Sequence, residues 1–273
     1  MTSSHDHPIY AAGTRRFGRI NRIGLQTLAL REILRFMSVW QQTVLAPLMT
    51  AALFLTVFSL ALGQGGQREI MGLDYLAFLG PGILMMTVIQ NAFANTSSSI
   101  ISAKMQGNII DTLMPPLSPG EIVAGYLAGS LVRVAMVAFV IWAGMALVLG
   151  QGVAHPVWAV VFVALAALLL GGLGLIAGIV AQKFDQMAVV TNFIVAPLSF
   201  LSGTFYSIET LPSPFRETSY FNPIFYLIDG ARYGFSGASD ASPWLGLLVA
   251  GLATGGVIAL AWHWLRIGYR MKP

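Results

Sequence analysis

Few side chains in this sequence are suited to covalent, metal or phosphoryl chemistry. It contains no cysteine, which removes thiol nucleophiles, Cys-ligated zinc, iron–sulfur clusters and disulfide frameworks. His5, His7, His155 and His263 are scattered, with no HExxH pair and no second ligand at helical spacing. His5 and His7 fall in a polar leader that reads as a tail, so no metal site is expected. The lysines decide a further question. A phosphate-binding P-loop needs Gly-Lys-Ser/Thr, because the lysine must reach the terminal phosphates. Lys104 precedes Met, Lys183 precedes Phe and Lys272 precedes Pro, so the chain carries no such loop. Neither paired carboxylates nor a Ser/His/Asp set can be assembled at depth, and no catalytic residue is expected. One charge does stand out. Arg133 lies within a long apolar run, where a cation costs ~2.5–3.5 kcal/mol or more. It is either a pathway residue or a snorkelling side chain.

The elements that must hold these residues follow from composition. Of 273 residues 56% are apolar and 10% charged, where a soluble domain carries about 25% charge. Mean hydropathy is +0.74. Crossing a bilayer takes ~20 mostly apolar residues, and six segments qualify: 44–62, 75–95, 122–149, 157–180, 188–206 and 244–265. The expected fold is an all-α membrane protein. Segments 1–43 and 266–273 flank a transmembrane domain spanning 44–265. The third span is overlong and must tilt or extend beyond the bilayer. Pro81 should kink the second span, and Pro197 weakens the fifth as a straight helix. An even number of spans puts both termini on one side. That side holds 11 of the 15 Lys and Arg residues, against Arg68, Arg216 and Arg232 on the other. The bias makes both termini cytoplasmic. Within the spans, Gln90, Asn91, Asn95 and Asn192 suit interhelical hydrogen bonds. The pairs Gly125/Gly129, Gly174/Gly178 and Gly251/Gly255 suit close helix packing.

Three segments outside the spans are more than connections. Residues 1–43 lack the apolar run of a signal peptide. From 25 to 40 the spacing predicts an amphipathic helix, with Leu25, Leu28, Ala29, Ile33, Phe36, Met37 and Trp40 on one face. It would lie in the interface plane near anionic headgroups, or dock a partner. In the loop between spans two and three, Met105, Ile109, Thr112 and Leu113 recur at helical spacing until Pro115-Pro116 stops the helix. Ser118, Pro119 and Glu121 then form the pattern of a capping box. A short helix held between two long spans is suited to passing force, the plain alternative being an interfacial loop helix. Finally, residues 200–235 carry ten aromatics broken by Pro212, Pro214 and Pro223. Short helices dipping back into the outer leaflet would hide these rings. They form either an aromatic belt or a gate around an exit.

These loops, in this order between these spans, resemble the ABC-2 type permease family. The marks are Ala103-Lys104-Met105-Gln106 leading to Leu113-Met114-Pro115, then Phe184-Asp185 and Leu201-Ser202-Gly203-Thr204-Phe205-Tyr206-Ser207. Leu211-Pro212, Phe221-Asn222-Pro223 and Asp229-Gly230-Ala231-Arg232-Tyr233-Gly234 follow. The resemblance implies the membrane subunit of a bacterial inner-membrane exporter. It would pair with a second copy of itself and dock two separate ATPase subunits, which bind ATP and Mg; membrane lipid is the other partner, and no nucleic acid is implied. By the same likeness, Leu25, Leu28, Glu32, Ile33, Arg35 and Phe36 belong to an interface helix. Lys104, Met105, Gln106, Gly107, Ile109, Asp111 and Leu113 belong to a coupling helix spanning 104–114. Phe205, Tyr206, Phe221, Phe225 and Tyr226 belong to an outer gate of re-entrant helices. One departure is visible: family members often carry two adjacent acids in the coupling helix, whereas Ile110 here precedes the single Asp111. Cargo in the family ranges over lipid-linked glycans, lipooligosaccharides, lipids and hydrophobic drugs. The alternative, a carrier or channel without an ATPase, would need intramembrane carboxylates, and none falls inside the six segments.

Overall fold

The computed structural model describes residues 20–63 and 69–270. His5, His7, Arg68 and Lys272 lie outside the described residues. Among the described residues, six helical stretches are long and apolar enough to cross a membrane: Gln41–Ala61, Tyr75–Met105, Pro119–Leu149, Pro156–Val180, Phe184–Leu201 and Pro243–Ile267. In chain order the helices are α1 (Arg22–Met37), α2 (Ala46–Gly63), α3 (Tyr75–Met105), α4 (Ile109–Leu113), α5 (Pro119–Leu149), α6 (Pro156–Val180), α7 (Phe184–Val190), α8 (Ala196–Leu201), α9 (Ser213–Tyr220), α10 (Pro223–Ser236) and α11 (Pro243–Ile267). A two-residue hairpin, Glu69–Ile70 against Leu73–Asp74, precedes α3.

Each expected span has its counterpart, with two differences in extent. The second continues ten residues past 95, because Asn95, Thr96, Ser97 and Ser99 are buried against neighbouring helices rather than left in lipid. Hydropathy had dropped there, but the backbone ladder had no reason to stop. The fifth ends at Leu201, since Ser202 closes it and Gly203 takes a positive φ of 77°. Its Pro197 is accommodated by a π-helical turn, Thr191–Val195, just before it. Span one repeats this arrangement, with the π turn Gln41–Leu45 followed by Ala46-Pro47-Leu48. A π turn shifts the hydrogen-bond register by one residue and absorbs a proline's missing N–H. Both spans thus carry the same π turn ahead of an Ala-Pro-Leu step.

Helix α3 is the centre of the bundle: 83% of its apolar window is buried, against 6% for Gln41–Ala61 and 17% for Phe184–Leu201. Its closest neighbour is α6, brought in by Gly174. A Cβ there would lie 2.3 Å from Thr96 Oγ1 and 2.4 Å from the Phe93 carbonyl oxygen. Thr96 Oγ1 donates to the Gly171 carbonyl at 2.6 Å across the same contact. Gly125 and Gly129 on α5 likewise admit Leu28 and Glu32 of α1. Gly251 and Gly255 on α11, expected to pack closely, meet nothing within 4 Å among the described residues. Gly174→Ala should therefore destabilise the fold by ~1–3 kcal/mol, as overpacking in a filled core does. Gly251→Ala should be neutral within about 0.5 kcal/mol. Unfolding of the two variants in detergent checks the contrast.

Candidate coupling and pathway sites

At one end of the bundle, α3 stops at Met105 and the chain turns through Gln106-Gly107-Asn108 into the five-residue α4. Residues 104–114 are therefore not one helix. Gly107, at a φ of 74°, makes the turn that the continuous helical spacing concealed. The pieces are tied down from both sides. Lys104 Nζ donates to the Ile179 and Ala181 carbonyls, each at 2.8 Å, satisfying acceptors that the C-terminal end of α6 leaves unpaired within the helix. Arg31 of α1 donates to Thr112 Oγ1 at 2.9 Å and to the Tyr126 hydroxyl at 3.3 Å. Ile109 is buried to 1% exposure, in a cluster with Leu28, Ile100, Ile122 and Tyr126. It faces into its own chain and offers nothing to a partner, contrary to its expected place among the docking contacts. Met105, Ile110, Leu113 and Met114 are the exposed apolar residues of this turn. Gln106, Gly107 and Asp111 are exposed beside them. The helix after the turn is capped as expected, Ser118 and Glu121 forming both bonds of a capping box.

Helix α1 differs from its expected form. Leu28 meets Gly125 and Glu32 meets Gly129, so four residues on each helix advance together and α1 runs alongside the first part of α5. Its buried face is Leu28, Glu32 and Phe36, while Met37 and Trp40 are exposed. Leu25, Ile33 and Arg35 are half-buried. A carboxylate on the inner face was not legible from apolar spacing. The signal lay instead in the matched four-residue steps of Leu28/Glu32 and Gly125/Gly129.

Glu32 organises a buried polar cluster. It accepts from Ser99 Oγ at 2.9 Å, Arg35 Nε at 3.2 Å and Arg31 Nη2 at 3.3 Å. Arg35 also donates to the Asn95 carbonyl oxygen at 2.8 Å and to Asn95 Oδ1 at 3.0 Å. Arg133 reaches the same Asn95 Oδ1 at 3.4 Å and Asn91 Oδ1 at 2.9 Å. Arg133 thus does not snorkel alone: it closes a chain of contacts from α1 through α3 to α5.

At the opposite end, α10 is sunk into the bundle. Phe225 and Tyr226 are buried at 0% and 5% exposure. They pack with Ile208 and are core residues rather than gate residues. Phe221 is 88% exposed. Phe205 sits where spans one and five approach, its ring centroid 5.2 Å from Phe58, 5.5 Å from Phe200 and 6.0 Å from Phe54. Tyr206 is half-buried, its hydroxyl donating to the Leu201 carbonyl at 3.0 Å. The residues holding this end together were not singled out individually by sequence reasoning. Arg232 is fully buried, 3.5 Å from Asp229 and 4.0 Å from the Phe78 ring centroid, and donates to the Gly203 carbonyl. Asp229 accepts from the backbone N–H groups of Asp240 and Ala241 at 2.8 and 2.9 Å. Burial pushes its carboxyl up to about 6, against the opposing pull of Arg232 and these donors. The i, i+3 spacing of Asp229 and Arg232 was the available signal.

Six spans, one of them the central helix α3, with a polar cluster toward one end and a sunken helix at the other, define a polytopic membrane protein. The ABC-2 type transporter family profile matches residues 24–236. The chain belongs to that family, and its class is a transport permease. It is 36% identical over 218 residues to the inner membrane transport permease YadH of Escherichia coli strain K12, covering 80% of this chain and 85% of that one. Nodulation protein J of Rhizobium leguminosarum bv. viciae is 25% identical over 202 residues, covering 71% and 76%. Nodulation protein J of Rhizobium meliloti strain 1021 is 23% identical over 203 residues, covering 71% and 75%.

Proposed function

We propose that this chain is the membrane subunit of an exporter in the bacterial inner membrane, working as a homodimer driven by separate ATPase subunits that bind ATP and Mg. The observation that carries the reading is the α3–α4 turn. It presents Met105, Ile110, Leu113 and Met114 to the outside, yet Lys104 and Arg31 fasten it to α6, α1 and α5. A surface that is apolar, exposed and rigidly linked to several spans can transmit a push from a bound motor. The absence of a Gly-Lys-Ser/Thr loop in the sequence agrees with hydrolysis on another chain. A second copy would cover the faces left open on spans one and five. Met49, Leu53, Val57 and Leu60 line up on α2, and Phe193, Ile194 and Leu201 stand out on the fifth span.

The matched π turns before Pro47 and Pro197 supply these two spans with bending points. The ring cluster of Phe205, Phe54, Phe58 and Phe200 closes the outer end when the pathway is idle, with Tyr206 and Phe221 at its rim. Arg133 faces the pathway's inner half. The cargo is an amphiphile, a lipid-linked glycan, lipid or hydrophobic compound. YadH is named an inner membrane transport permease, which supports the location.

Orientation is tested by single cysteines in this Cys-free sequence, labelled in whole cells with an impermeant maleimide. Position 213 should label strongly, while positions 106 and 269 should label only after permeabilisation. Labelling of 106 in intact cells would reverse the topology and remove the docking surface from the ATPase side. Co-purification of the chain with a co-expressed ABC ATPase subunit tests the partnership directly.

A further inference from the structure

The polar cluster beside α1 holds more positive charge than its own acceptors can neutralise. Glu32 is its carboxylate, and Glu32 is occupied by Arg35, Arg31 and Ser99. Arg133 makes no ion pair among the described residues. Its two hydrogen bonds go to neutral amide oxygens, Asn91 Oδ1 and Asn95 Oδ1, and the latter is shared with Arg35. Donors are also left over. Arg133 Nε and Asn95 Nδ2 are both buried with no hydrogen-bond partner. Buried donors without acceptors are costly, and a guanidinium inside an apolar span without a counter-charge more so. The one group that answers both deficits is an anion with several acceptor oxygens.

We propose that Arg133, Arg35, Asn91 and Asn95 form a binding site for a phosphate group entering from the cytoplasmic half of the membrane. The guanidinium of Arg133 supplies the charge and its Nε–H the open donor. Asn95 Nδ2 adds a second donor, and Arg35 adds a second cation across the same amide. The group's source is a phospholipid headgroup or free phosphate. The headgroup is favoured by the surroundings: the end of α1 that carries Arg35 and the start of span one expose Met37, Trp40, Leu45 and Met49, an apolar border for acyl chains. The apolar groove of about 580 Å³ between α5 and α6, lined by Leu131, Val134, Ala138 and Trp142, is on the far side of α5. Residues 131, 134, 138 and 142 share a helical face that points away from residue 133. That groove is not where the tails of this ligand run.

The site is independent of the ATPase docking surface, so failure of one leaves the other standing: anion binding is read on the purified permease alone. The full chain in dodecyl maltoside is titrated with dioctanoyl phosphatidylglycerol, with dioctanoylglycerol (the same tails without phosphate) and with sodium phosphate. Binding is followed by native mass spectrometry and by the unfolding midpoint. Phosphatidylglycerol should bind and raise the midpoint, dioctanoylglycerol should not, and Arg133→Gln should weaken phosphatidylglycerol at least tenfold. Asn91→Asp is the second variant, because it gives Arg133 an internal carboxylate at its existing contact. It should raise the ligand-free midpoint and still weaken phosphatidylglycerol at least tenfold. Competition by sodium phosphate would support the site with free phosphate as its source, and lack of competition would support the headgroup. Equal phosphatidylglycerol affinity in the parent and both variants, or equal binding of dioctanoylglycerol, overturns the proposal and leaves Arg133 a purely structural cation.

Discussion

Ile110→Asp should release the ATPase while leaving the permease folded, whereas Ile109→Asp should damage the fold itself. The two residues are neighbours with opposite surroundings: Ile109 is 1% exposed and Ile110 48%. A carboxylate at 109 would sit among Leu28, Ile100, Ile122 and Tyr126. An unpaired charge buried there costs more than ~4 kcal/mol. At 110 the same change meets solvent, and stability should move by about 0.5 kcal/mol or less. Docking is another matter. The exposed apolar set is small, so losing one central member to a charge should weaken ATPase binding by ~2 kcal/mol or more, which is roughly 30-fold. Asp111→Asn should have little effect, since an exposed ion pair contributes only ~0–1 kcal/mol. Unfolding in detergent and co-purification of the two subunits separate the outcomes. If Ile110→Asp and Met114→Asp both leave co-purification intact, the turn is a plain connection.

The second large effect is expected at the other end. Asp229→Ala should destabilise the chain by ~3–5 kcal/mol, because it removes the ion-pair partner of the fully buried Arg232 and leaves it only the more distant carboxylate of Asp240. The loss is compounded at the backbone, where Asp240 and Ala241 would lose their acceptor. Release should spread to the turn at Gly203, which Arg232 holds through its carbonyl, and so to the seat of Phe205. Replacing both partners with apolar residues, Asp229→Leu with Arg232→Met, should recover part of the loss, since no lone charge is then left behind. Protease sensitivity of segment 203–241, together with the unfolding midpoint, gives the readout. A loss below about 1 kcal/mol for Asp229→Ala would show that this pair does not hold the outer end.

How far the sequence reached differed from one level to the next. The six spans, the all-helical class and the family were legible because each rests on composition and local order. About 20 apolar residues must cross a bilayer as helix whatever surrounds them, and the loop motifs kept their order along the chain. Local chemistry was legible for the same reason: Ser118 and Glu121 cap α5 through bonds within one turn. Which face of a helix turns inward was not legible. Membrane helices are apolar all round, so periodicity that marks an inner face in water loses its contrast in lipid. Nor was it legible on the short helices outside the spans, whose facing is set by contacts with other elements: Ile109 on α4 and Phe225 and Tyr226 on α10, singled out as contact or gate residues, are core residues. Glu32, placed on an interface helix, turned out to hold Arg31, Arg35 and Ser99 together. Arg133 could be picked out in the sequence as a charge in the wrong solvent. Only packing decided that Asn91 and Asn95 stand beside it, that Arg35 shares an acceptor with it, and that its Nε is left open. The sequence alone therefore determined what crosses the membrane, because solvent transfer is a property of each segment. The tertiary structure decided which polar groups meet, because pairing depends on approach distances set by glycines such as Gly129 and Gly174 on helices far apart in the chain.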